Sequence, residues 1–187
     1  MRAAVLCLVA ALSFAAAPSY AQLENENLLV GMPQGFKVGF QDSRNGMNMQ
    51  EWVPAGETVQ NWTEMITAQI FLQRADLDPV QFLATMAKQW AGACQGSKAT
   101  PAATGKATGY ASATMLLRCP LLASSGKPET TMIKAIKGND SFHVVQRAVR
   151  SVPGEAQLAR TKAYLETVSV CDSRLPAHPC LMPGASK

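Results

Sequence analysis

Cysteine and histidine are the residues in this chain best suited to chemistry, and their spacing limits what kind. Cys94, Cys119, Cys171 and Cys180 are separated by 25, 52 and 9 residues, and a fifth cysteine, Cys7, lies in an apolar N-terminal run. Zinc sites draw ligands in close pairs such as Cys-x2-Cys, and thiol redox centres use Cys-x-x-Cys. Neither spacing occurs, so no metal and no cofactor is expected. An even number of cysteines in an exported chain points to disulfides instead. Four cysteines allow three pairings, which the sequence leaves open. The expected pair of bridges is Cys94–Cys119, tying a helix end to a following strand, and Cys171–Cys180, closing a short loop that contains Pro176 and Pro179.

The two histidines offer little for catalysis. His143 falls in an alternating apolar segment with Val145 and Val149 on its face, and His178 lies next to Pro179 near the C-terminus. A nucleophilic triad needs a base within reach of Ser or Cys and a carboxylate to orient it, and no Gly-x-Ser-x-Gly elbow is present. Ser124-Ser125-Gly126-Lys127 reads as turn composition rather than a serine–lysine pair. No Gly-x4-Gly-Lys-Ser/Thr or Gly-x-Gly-x-x-Gly phosphate loop occurs. Asp78 has a sufficient role as a helix cap. No catalytic residue is therefore assigned. The enzymatic alternative is a small periplasmic hydrolase built on His143 and a nearby glutamate.

A binding surface is the other option. Trp52 and Trp62, with Lys134, Lys137, Arg147 and Arg150 of a later hairpin, form a candidate patch of aromatic and basic side chains. The competing and favoured reading of the two tryptophans is a small cluster packed under the 54–62 loop.

The N-terminus sets the compartment. Arg2 precedes the uncharged run Ala3 to Ala17, Pro18 breaks it, and Ser19 and Ala21 place small residues before Gln22. These are the parts of a cleavable signal peptide over residues 1–21, and the run is shorter than the roughly 20 residues that span a bilayer. Residues 22–187 then form one soluble domain, periplasmic or secreted. Loss of Arg2 leaves 16 Lys+Arg against 13 Asp+Glu. That mild, scattered balance excludes the concentrated basic face of a nucleic-acid binder.

The elements that must position these residues follow from periodicity. Residues 22–30 read as a loose lead-in. Phe36 to Gln41 and Met47 to Val53 alternate about Asn45-Gly46, a hairpin dipeptide. Trp52 falls on the opposite face from Met49 and Val53. Thr63 to Leu72 reads as a strand rich in β-branched and aromatic residues. Asp78-Pro79 starts a helix over 79–93, with Phe82, Leu83, Met86, Ala87 and Trp90 on one stripe. Residues 94–107 read as a loop, 110–119 as a strand, and 130–137 with 141–150 as a second hairpin around Gly138-Asn139-Asp140. A second helix covers 153–170, and the tail after Cys171 reads as irregular. The order βββαβββα predicts an α+β domain: an antiparallel sheet of about six strands with two helices packed on it.

With Glu57-Thr58-Val59-Gln60-Asn61-Trp62-Thr63 before a strand, this order resembles PsbP-like architecture. It is also similar to uncharacterised periplasmic proteins of proteobacteria that carry a comparable Glu-Thr-Val-x-Asn-Trp-Thr stretch. The resemblance implies no catalytic residues. The expected function is non-catalytic binding or an envelope-accessory role, with an envelope or extracellular protein as partner. An inhibitor or chaperone-like factor is a variant of that reading.

Overall fold

The structure is a computed structural model and describes residues 23–180. The expected signal peptide lies outside them. Ten strands and two helices follow in the order β1 (Glu26–Leu29), β2 (Phe36–Arg44), β3 (Met47–Pro54), β4 (Glu64–Phe71), α1 (Pro79–Ala93), β5 (Lys98–Ala99), β6 (Ala103–Ala107), β7 (Tyr110–Leu122), β8 (Lys127–Lys137), β9 (Phe142–Val149), α2 (Glu155–Thr167) and β10 (Ser169–Asp172). Eight strands form one antiparallel sheet in the order β2-β3-β4-β9-β8-β7-β5, with β6 also pairing along β7. β1 and β10 form a separate two-stranded sheet.

The α+β class is therefore observed, with more strands than the sequence predicts. Residues 22–30 are not a loose lead-in, because Glu26–Leu29 pair with the tail strand Ser169–Asp172. That pairing also corrects the irregular tail. The 94–107 segment is not a loop: Ala103–Ala107 turn back on β7 through Thr108 and Gly109, both at positive φ, and residues 98–99 pair beyond them. Ala- and Gly-rich strands of this kind carry low β-propensity and gain their order from the partner.

The strong local signals explain the rest. Asn45 and Gly46 both have positive φ, as the two-residue turn between β2 and β3 requires. Asp78 accepts the N–H groups of Val80 and Gln81 at 2.9 Å, and Pro79 opens α1. Side-chain alternation then places the helices on opposite faces of the sheet. Ile133 and Ala135 of β8 pack with Leu83 of α1, whereas Ile136 packs with Leu165 of α2. Phe82 of α1 meets Phe142 of β9 with ring centroids 4.9 Å apart. The β1–β10 pair shares the α2 face, with Val170 in the same cluster as Leu165, Ile66 and Trp52.

Both expected disulfides are formed. Cys94–Cys119 joins the end of α1 to β7, and Cys171–Cys180 closes the tail against β10. Two disulfides are consistent with an extracytoplasmic protein. Among the described residues no helix is long and apolar enough to cross a membrane.

Candidate functional site

The β1–β10 pair and α2 leave part of their face of the sheet uncovered. There a groove of about 490 Å³ runs over β2, β3 and β4. Gln41, Ser43, Asn48 and Gln50 form its polar floor, continued by Ala68 and Ile70. Trp52 lies at its base, and Leu28 and Val30, in and just after β1, form a wall.

A β-bulge makes the floor polar. Val38 pairs with Trp52, but Phe40 pairs with Glu51, so one extra residue, Gly39, enters β2. A bulge reverses the alternation beyond it. Before it Phe36 and Val38 face the groove side, and after it Gln41 and Ser43 do. Without the extra residue, Phe40 and Asp42 would occupy the floor instead. Glycine is required there. A Cβ at position 39 would stand 2.9 Å from Val59 Cγ1 and 3.1 Å from Val53 Cγ2.

The floor groups bond to one another across the hairpin. Gln50 Nε2 donates to Gln41 Oε1 at 3.2 Å, Trp52 Nε1 donates to Gln50 Oε1 at 3.2 Å, and Ser43 Oγ donates to Asn48 Oδ1 at 2.6 Å. Each amide keeps further donor or acceptor capacity. Asp42 is the one charged residue of the lining, and Arg44 Nε lies 2.7 Å from its carboxylate. The groove is therefore close to electrically neutral and rich in hydrogen-bonding groups.

His143 belongs to a different arrangement. Its Nε2 lies 2.9 Å from Glu26 Oε1, with both side chains 3% exposed or less. The Glu26 carboxylate also accepts the N–H groups of Asn139, Asp140 and Ser141 in the β8–β9 turn. Burial pushes this carboxyl up, but the bonds from His143, Asp140 and Asn139 outweigh it and hold the group below its ordinary value. Nδ1 of His143 is buried without a partner among the described residues. Both side chains are thus all but closed off from solvent. The pair's work is to fasten β1 onto the sheet. Nearby, His178 stacks on Tyr110 at 4.1 Å, and burial, then the charges of Glu26 and Asp172, push the Tyr110 phenol up to about 12.

The aromatic and basic residues singled out in the sequence do not form one exposed patch, although Arg150 and Trp62 meet. Trp52 and Trp62 are each 6% exposed. Trp52 lies in the core beneath the groove, and Trp62 packs with Val53, Met65 and Val59 under the 54–62 loop. Neither forms an exposed aromatic patch, since each indole finds an apolar pocket that excludes water. Lys134 is buried and donates to the carbonyls of Leu165 (2.9 Å) and Val168 (2.7 Å), closing the end of α2. Burial lowers the pKa of its ammonium. Arg147 pairs with Glu64 and lies 5.0 Å over the Tyr164 ring. Arg150 lies 4.0 Å over Trp62. Lys137, at the end of β8, is exposed. The groove floor was the missed site. Its signal was the uncharged polar run at alternate positions of the first hairpin, hidden by the unrecognised bulge. Among the described residues, no group of three His, Cys, Asp or Glu side chains is placed to hold a metal ion.

The fold has solved counterparts. The PsbP-like protein CyanoP of Synechocystis matches 84% of this chain over 98% of its own, at 13% identity and a TM-score of 0.51. The yeast Ran-binding protein Mog1p matches at 14% identity and a TM-score of 0.46, covering 78% of this chain and 90% of that one. LpqN of Mycobacterium tuberculosis, involved in cell envelope biogenesis, matches at 9% identity and 0.42, covering 79% and 84%. CyanoP shows that the architecture is PsbP-like; at these identities the likeness is one of fold alone. No family model matches the chain, and no curated protein sequence does.

Proposed function

We propose that the chain is an exported, non-catalytic binding domain whose site is the groove over β2, β3 and β4, and that it takes a segment of an envelope or extracellular protein. The groove carries this reading. It is open, it is of ligand size, and its floor offers unsaturated amides without charge. The titratable pair that would suit catalysis, Glu26 and His143, is sealed. Export is supported by the signal features of residues 1–21 and by the two disulfides. An inhibitor or chaperone-like factor would use the same groove.

Ser43 is exposed on the floor, so Ser43→Trp fills the groove without disturbing the core. Lys88→Trp, on the exposed side of α1 across the sheet, is the control. The mature chain is used as bait in envelope extract. Capture of a partner falls at least tenfold with Ser43→Trp and is unchanged with Lys88→Trp. Equal capture by both variants removes the groove as the site.

A further inference from the structure

The wall of the groove is a strand with one edge in use. In the β1–β10 ladder, Ser173 N–H donates to Asn25 O, and Asn25 N–H donates to Ser173 Oγ at 2.8 Å. The Asp172 N–H turns away from β1 and donates to His178 O at 2.7 Å. Hydrogen-bonded and non-bonded pairs alternate along an antiparallel ladder. The pairs Asn27–Cys171 and Leu29–Ser169 are therefore bonded, and Glu26–Asp172 and Leu28–Val170 are not. The backbone groups of Glu26 and Leu28 point away from β10, and those of Val30 continue the alternation. Among the described residues β1 pairs with no other strand. Glu26 reaches His143 of β9, and Leu28 and Val30 line the groove together with Ala68 and Ile70 of β4. The free edge thus faces the space over the amide floor.

We infer that the occupant of the groove is an extended polypeptide segment that adds to β1 as the third strand of the β1–β10 sheet. This rests on the groove being the binding site and specifies what it takes. Main-chain hydrogen bonds to Glu26, Leu28 and Val30 supply the register, and alternate side chains turn down onto the floor. Five residues, roughly 17 Å of strand, cover the free edge. Their floor-facing side chains meet Gln41, Asn48 and Gln50, which selects uncharged residues that are small or carry amides and hydroxyls. A charge there would be desolvated with no partner, since Asp42 is already paired with Arg44. The other free edge on this side, β2, is a poorer acceptor. It is broken by the bulge at Gly39 and carries Lys37, Asp42 and Arg44, the features that protect edge strands from pairing.

The test is selection of peptides from a displayed random pentapeptide library on the mature chain, followed by synthesis of the selected sequences with and without N-methylation at alternate amides. Selected peptides are uncharged, one methylation phase weakens binding at least tenfold, and the other phase does not. In NMR hydrogen exchange, the Leu28 amide slows at least tenfold when peptide is bound. Peptides that compete with Ser43→Trp filling yet bind equally in both methylated phases leave the groove as the site and overturn strand addition. Failure of Ser43→Trp to reduce either peptide binding or partner capture overturns the groove itself.

Discussion

Replacing Glu26 by glutamine tests what holds the wall of the groove. The substitution keeps the shape of the side chain but removes the charge and turns an NH2 group toward a cluster of donors. Those donors are three turn N–H groups and His143 Nε2. One glutamine oxygen cannot accept four bonds. Hydrogen bonds to a charged group contribute about 1.5–3 kcal/mol each. Since part of the bonding survives in the amide, a loss of about 3 kcal/mol is expected. For a chain of this size that lowers Tm by roughly 6–12 °C. The effect depends on pH with a definite sign. The folded state holds the carboxyl below its ordinary value of 4.5, so the unfolded chain takes up the proton first. The stabilisation is complete above that value and is lost as pH falls through the lower folded-state value. Urea unfolding followed by tryptophan fluorescence, from near pH 7 to about pH 3, should show the wild-type and Glu26→Gln curves converging in acid. A difference below about 1 kcal/mol at neutral pH, within the range of an ordinary surface change, or one that stays constant into acid, refutes the assignment.

Three further outcomes follow from the same contacts. Lys134→Ala removes both bonds to the end of α2 and lowers stability by about 2 kcal/mol, with faster hydrogen exchange confined to residues 165–168. The double change Cys171→Ser and Cys180→Ser opens a loop of sequence separation 9; it costs about 2.5 kcal/mol on the chain-entropy relation, and urea midpoints read with and without reductant check it. Intact-mass measurement of the exported chain gives an N-terminus at Gln22, and a mass retaining residues 1–21 counts against cleavage.

Local rules made much of the fold legible. The Asn45-Gly46 turn, the Asp78-Pro79 helix start and the alternation of residues 130–150 each carry their instructions within a few residues. β1 and β10 carry none. The run Glu26-Asn27-Leu28-Leu29 has no strand signature, and its order comes from Ser173, His143 and the β8–β9 turn, more than a hundred residues away. The site was partly legible. The position of Trp52 on the face opposite Met49 and Val53 follows from alternation and is observed, but the floor it supports depends on Gly39. A single bulge residue reverses every later side chain in its strand, and nothing in the local pattern before Gly39 announces it. The basic residues were misleading for a related reason. Arg147 and Arg150 lie over aromatic rings, and Lys134 over carbonyls, so charges that look free along the chain are used in packing.

The pairing of the first strand with the last also fixes when the groove comes into being. β1 and β10 lie near opposite ends of the described residues, and non-local pairings of this span form only after their loop has closed. Until then Leu28 and Val30 have no sheet to hold them, and the groove lacks its wall. A chain clipped before Ser169 would carry the floor without the wall. On the proposed reading of the groove, binding competence thus reports that β10 has joined β1, so a truncated product would not compete with the finished one for its partner.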